Sequence, residues 1–106
     1  MVEVRDTQAG REQGLSGRAA LAPDAGMLFT YDDSAVRSFW MPDMRFSIDL
    51  AWIVDGEVIG VTTLHPCPTD GPCPAHTSPG PVDTVLEVAR GALAGVRPGD
   101  PVVIEP

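Results

Sequence analysis

Phe46, Ile48, Leu50 and Trp52 stand at alternate positions, and an Asp55-Gly56 pair follows them. Side chains alternate across an extended backbone, so this spacing places the large apolar groups on one face and Ser47, Asp49 and Ala51 on the other. Asp-Gly between two apolar stretches is the strongest short hairpin signal, because both residues tolerate the positive φ angles of a two-residue type I′ turn. A returning strand is predicted over 57–64. A chain holding this hairpin is committed to a sheet, and its other segments must supply the remaining strands.

They do so in short pieces. Val2-Glu3-Val4-Arg5 alternates as a half-buried strand does. Asp6-Thr7 can cap a short helix running to about Gln13, which Gly14 can close by adopting a positive φ. Strands are expected over 26–31 and 36–41, with Asp32-Asp33-Ser34 as the turn between them and Pro42 as the stop. Prolines at 66, 68, 72, 74, 79 and 81 make 65–81 a long, stiff, exposed loop, because they remove ladder donors and break helices. A strand follows over 82–90, then a short helix or turn over 91–96. Pro98-Gly99-Asp100 turns the chain into a last strand over 102–104. The 106 residues form one domain, 1–106, large enough to bury a core. The expected class is β-rich α+β, with about seven short strands and one or two short helices. Curling that sheet into a small barrel-like or half-open barrel would hide its edges.

Composition narrows the function. The net charge is −8, and the seven basic residues are all arginine. Nucleic-acid binding depends on neutralising phosphates with basic groups, so neither nucleic acid nor an anionic membrane surface is an expected partner. Without lysine there is no P-loop lysine and no Schiff-base lysine. Apolar runs reach five residues, as in 50–54, whereas a membrane span needs about 20. The N-terminus lacks the pattern of a secretory leader, so the expected location is the cytoplasm; the alternative is export behind a leader not present here.

Five segments taken together are more specific than any one alone: Arg11-Glu12-Gln13-Gly14-Leu15-Ser16-Gly17-Arg18, Gly26-Met27-Leu28-Phe29, Phe39-Trp40-Met41, Ile48-Asp49 and Leu86-Glu87-Val88. In order and spacing, over nearly the whole chain, they resemble the domain-of-unknown-function family 192. The resemblance implies a small compact β-barrel-like domain, found both free in the cytoplasm and exported, and it implies no biochemical activity. The chain departs from the family pattern at Pro42-Asp43-Met44, where a Lys-Asn-Thr-like stretch is usual, and at His76, where an aromatic is usual.

Candidate chemistry centres on a few side chains. Asp49 lies opposite the apolar face of its strand. It is either a carboxylate on the wet face, held by backbone amides or an arginine such as Arg18, or a desolvated acid, base or ligand anchor. Glu87 shares a face with Val85 and Ala89, which hints at burial, and a buried glutamate should have Arg11, Arg18 or Arg90 close by. Trp40 is either core or the wall of a cleft with Asp43 at its rim. The expected ligand-binding set is therefore Arg18, Trp40, Asp43, Asp49 and Glu87. Cys67 and Cys73 are read first as a disulfide, then as free thiols, then as half of a zinc site with His65 and His76 whose spacing is wrong for a Cys-x2-Cys knuckle. No metal site or cofactor is expected, and no Gly-x-Gly-x-x-Gly, His-Glu-x-x-His or Gly-x-Ser-x-Gly motif occurs. The preferred function is a non-catalytic module binding a small molecule or a protein partner. The rivals are a small hydrolase or lyase using Asp49 and Glu87 as a carboxylate pair, and a purely interacting accessory domain.

Overall fold

The computed structural model describes residues 2–15, 17–18, 20–22, 25–41, 44–68 and 71–102. Among them are seven strands and one helix: β1 (Val2–Arg5), α1 (Gln8–Gln13), β2 (Gly26–Ala35), β3 (Ser38–Phe39), β4 (Ile48–Val54), β5 (Glu57–Leu64), β6 (His76–Thr77) and β7 (Val82–Ala89). Five strands form one sheet in the order β1-β2-β7-β4-β5, and β3 pairs with β6 in a small second sheet. Only β1–β2 is parallel within the larger sheet, with α1 in the connection between them. The class is the expected strand-rich α+β one. The sheet stays open, with β1 and β5 at its edges, and does not close into a barrel.

Local signals were accurate where the chemistry is local. Thr7 caps α1 by accepting the Gly10 N–H on Oγ1 at 3.1 Å, and Gly14 ends the helix at φ 49° while donating to the Gly10 carbonyl. Asp55 and Gly56 carry φ angles of 51° and 76° between the paired residues Val54 and Glu57, as a two-residue turn requires. The register slips between Trp52 and Ile53, leaving Ile59 as the extra residue of a bulge. Trp52 then pairs with Gly60, where a Cβ would stand 3.5 Å from the indole and 3.2 Å from Pro79.

The main core lies on one face of the sheet. Met27, Phe29, Ile48, Leu50, Trp52 and Val85 are at most 1% exposed, and each such side chain contributes roughly 1.5–3 kcal/mol by leaving water. The Trp52 indole N–H donates to Thr62 Oγ1 at 3.2 Å, so its polar edge is satisfied. Phe39 brings β3 onto this core by meeting Phe29 and Trp52 edge to face, with centroids 5.4 and 5.6 Å apart.

Four expectations need correction. The second face of β4 is not wet: Ala51, Ile53 and Val58 are buried there beneath Leu86, Leu93, Val96 and Val102. The physical reason is that β4 is an interior strand and the segment after β7 folds across it, pinned by Val58 N–H to the Asp100 carbonyl, Gly99 N–H to the Val58 carbonyl and Val102 N–H to the Gly56 carbonyl. Residues 32–34 are not a turn but part of β2, which reaches Ala35 because β7 pairs with it again at Ala35↔Val82 after a register shift. The 36–41 strand shrinks to Ser38–Phe39. Its partner, His76–Thr77, comes from inside the proline-rich loop, at two positions that are not proline. Of the last strand predicted over 102–104, Val102 is described and lies outside any strand, next to an isolated bridge between Pro101 and Glu57; Val103 and Ile104 lie outside the described residues, as does Pro42.

Cys67 and Cys73 form a disulfide with their Cα atoms 4.8 Å apart, inside the proline-rich loop that leads into β6. No helix among the described residues is long and apolar enough to cross a membrane.

Candidate functional site

β2 places Met27, Phe29 and Tyr31 on one face by simple alternation. β7 lies beside it and pairs Met27 with Glu87, while on its other side β4 pairs Leu50 with Glu87. Glu87 thus projects from the middle of the sheet, on the same face as the main core, and is 5% exposed. A cleft of about 430 Å³ opens above it, between α1, the outer part of β2 and β3. Leu15, Phe29, Phe39 and Met41 give the cleft its apolar walls.

Burial alone drives the Glu87 carboxyl up to about 7, because no described group bonds to it and the charged form loses its water. Glu87 lines this cleft, and among the described residues no fully enclosed side-chain nitrogen or oxygen lacks a partner.

Tyr31 stands on the same face, and two guanidinium groups lie over its ring. Arg37 is 3.6 Å and Arg11 4.5 Å from the ring centroid. Both are anchored elsewhere. Arg11 Nη1 donates to the Thr30 carbonyl at 2.8 Å. Arg37 donates from Nε to the Val82 carbonyl at 3.2 Å, and from Nη2 to the Asp33 carbonyl and Oδ1 at 2.6 and 2.9 Å. Desolvation raises the Tyr31 phenol above its ordinary value, against the opposing pull of the two cations. The hydrogen bond from Arg37 holds the Asp33 carboxyl below its own. Trp40 sits on the rim, 63% exposed.

Of the residues expected to form a site, the fold brings Trp40 and Glu87 into this cleft and sends two others away. Asp49 pairs with Val88 and not with Glu87, so the sheet's pleat turns it to the opposite face. There it accepts the Thr63 hydroxyl and the Gly91 N–H, both at 2.8 Å. Arg18 pairs with neither acid. Its Nη1 and Nη2 donate to the Glu3 carboxylate at 2.6 and 2.9 Å, and this holds Glu3 below its ordinary value. Asp43 lies outside the described residues. Arg11, one of the arginines expected beside Glu87, lines the same cleft without bonding to it. Tyr31 and Arg37 were missed. The alternation Met27, Phe29, Tyr31 was a usable signal for the first, and nothing local marks the second. Among the described residues no three His, Cys, Asp or Glu side chains cluster closely enough to share a metal.

The model of domain-of-unknown-function family 192 (DUF192), described as "Uncharacterized ACR", matches residues 1–104. The chain belongs to this family. Two crystal structures resemble this DUF192 domain. One, a proposed transcription regulator from Sinorhizobium meliloti 1021, is 33% identical with a TM-score of 0.82, over 94% of this chain and 78% of that one. The other, a protein of unknown function from Novosphingobium aromaticivorans DSM 12444, is 28% identical with a TM-score of 0.85, over 97% and 74% of the two chains. A comparison with curated proteins gave no match.

Proposed function

We propose that this DUF192 domain is a binding module that takes a small molecule in the cleft over Glu87, without covalent chemistry of its own. The observation that carries the reading is Glu87 itself: an acidic residue 5% exposed, lining a cleft of about 430 Å³, with no bonded partner among the described residues. Burying such a group costs free energy unless something satisfies it, and a ligand is the natural candidate. Trp40 on the rim offers a flat apolar surface against which a ligand can lie. The hydrolase or lyase reading drew on a pair of carboxylates, and Asp49 stands on the far side of the sheet from Glu87, which argues against that pair.

The description of one relative as a proposed transcription regulator raises a nucleic-acid reading for that protein. For this chain the net charge of −8 argues against phosphate contacts. The disulfide favours an oxidising compartment over a reducing one.

The test is a thermal-shift screen of the oxidised protein against amines, sugars, nucleotides, small acids and metal salts, repeated with Trp40→Ala. A ligand of the cleft raises the melting temperature by mass action, and Trp40→Ala reduces that rise without lowering the melting temperature of the free protein. A flat response to every class, or a rise that Trp40→Ala and Glu87→Gln both leave intact, would overturn the proposal.

A further inference from the structure

We infer that the cleft selects a small organic cation, an ammonium group carried on an apolar or aromatic body, with the ammonium against Glu87 and the body against Phe39 and Trp40. This rests on the cleft being the ligand site, and goes on to the chemistry of what fits it.

Three features on different elements converge. The floor presents Glu87, a residue 95% buried with no bonded partner among the described residues. In so dry a site a single opposite charge gains far more than it would in water. The surrounding charges are unequal: Glu12 from α1, Asp32 and Asp33 from β2, and Glu87 from β7 make four carboxylates, against the guanidinia of Arg11 and Arg37. Both guanidinia already donate to backbone carbonyls and lie over Tyr31, so an anion could recruit them only by breaking those contacts. The aromatic faces are the third feature. The two guanidinia occupy Tyr31, whereas Trp40 is 63% exposed at the rim and offers its indole to the ligand's apolar or aromatic body. At long range the net charge of −8 draws cations toward the chain.

A hard metal ion fits less well. Such ions need a cage of six or more oxygens, and among the described residues no three His, Cys, Asp or Glu side chains cluster closely enough to share one.

The pairing has a proton signature. Free Glu87 titrates at about 7, and a bound ammonium stabilises its ionised form, so binding expels a proton wherever Glu87 starts out protonated. The other groups facing the cleft are Arg11 and Glu12 from α1, Tyr31, Asp32 and Asp33 from β2, and Arg37 ahead of β3; Tyr31 is shifted up and Asp33 down, away from neutrality, and neither histidine lines the cleft. Affinity for a permanent cation should therefore rise about 30-fold from pH 5.5 to pH 8.

The experiment is an amide-resolved NMR titration of the full, oxidised chain with benzyltrimethylammonium, benzyl alcohol and benzoate, at both pH values, with wild type and Glu87→Gln. The expected result is that the cation shifts the amides of Phe29, Tyr31, Phe39 and Glu87. It should bind at least about tenfold tighter than the alcohol at pH 8, the margin of a charge-assisted over a neutral contact. It should weaken about 30-fold at pH 5.5, and lose its advantage in Glu87→Gln. Alcohol or benzoate binding as tightly as the cation at pH 8, or a cation affinity that is flat with pH, would overturn the ligand class and leave the cleft as the site. No shift of the cleft amides by any of the three overturns both readings. Should Glu87→Gln lose its native spectrum, the wild-type pH comparison and the three-ligand ranking decide alone.

Discussion

Replacing Glu87 by glutamine should change how stability depends on pH, in a direction opposite to that of most carboxylates. In the folded chain Glu87 titrates at about 7, against 4.5 when unfolded. Folding therefore binds a proton between these values. The stabilising contribution is fully present below pH 4.5, falls as pH rises, and is gone above about 7. The slope across that window is about −1.4 kcal/mol per pH unit, and the whole effect is about 3 kcal/mol. Glu87 is almost wholly buried, so solvent screening takes little from this figure. For 106 residues it corresponds to roughly 13 °C in melting temperature. Glu3 and Asp33 are shifted the other way, so their linkage acts at lower pH, where their carboxyls protonate. The assay is urea denaturation of the wild type and Glu87→Gln at half-unit steps from pH 4.5 to 8.5, without reductant. Subtracting the two curves cancels every other titration and leaves any fixed offset from the new amide as a constant, so only Glu87 shapes the difference. The difference should move by about 3 kcal/mol in favour of the variant between the ends of the range, with half of the change reached near pH 6 and little left above pH 7. Parallel curves would refute the argument, because they would mean that Glu87 titrates in the folded chain as it does in the unfolded one.

Other substitutions probe the supports of the fold. Asp49→Ala strands the Gly91 N–H and the Thr63 hydroxyl that it holds at 2.8 Å, and should lower stability by about 1–3 kcal/mol; an unchanged urea midpoint would contradict that role. Arg37→Ala removes the donor to the Val82 carbonyl and the cation over Tyr31, for a loss of about 1–3 kcal/mol by the same measurement, and Arg37→Lys should not restore it because lysine cannot span those acceptors at once. Opening the Cys67–Cys73 bridge, by reduction or as a double serine variant, frees a six-residue separation in the unfolded chain and should cost about 2 kcal/mol. Alkylation followed by mass spectrometry checks the starting point: label entering the unreduced protein would show that the thiols are free.

What could be read from the chain follows the range of the interactions involved. Thr7, Gly14 and the Asp55-Gly56 turn are settled within a few residues of themselves, and each took its expected place. The period-two pattern from Ile48 to Trp52 correctly identified one buried face. It could not disclose that Ala51 and Ile53 are buried too, because the segment covering them lies some forty residues later in the chain. β2 runs on through two aspartates with poor strand propensity because β7 is present to pair with Ala35, an instance of tertiary context overriding propensity. The site divides in the same way. Burial of Glu87 was suggested by its neighbours Val85 and Ala89. The partner of Arg18 was not, because the parallel β1–β2 pairing that accompanies the Arg18–Glu3 contact leaves no local trace. In the sequence Asp49 and Glu87 read as a candidate pair because each is an acid within a largely apolar strand, open to either burial or exposure. The register, Asp49 with Val88 and Leu50 with Glu87, sets them back to back.

The order β1-β2-β7-β4-β5 puts the last-made of these strands at the centre. During synthesis β2 and the β4–β5 hairpin emerge first, and neither can touch the other until Val82–Ala89 leaves the ribosome and slots between them. Each waits with a bare hydrogen-bonding edge, and most of the sheet forms through contacts distant in sequence, which makes for slow folding after translation. The hazardous interval for this domain is therefore the time between the birth of its hairpin and the arrival of its keystone strand, when two unpaired edges are open to mispairing.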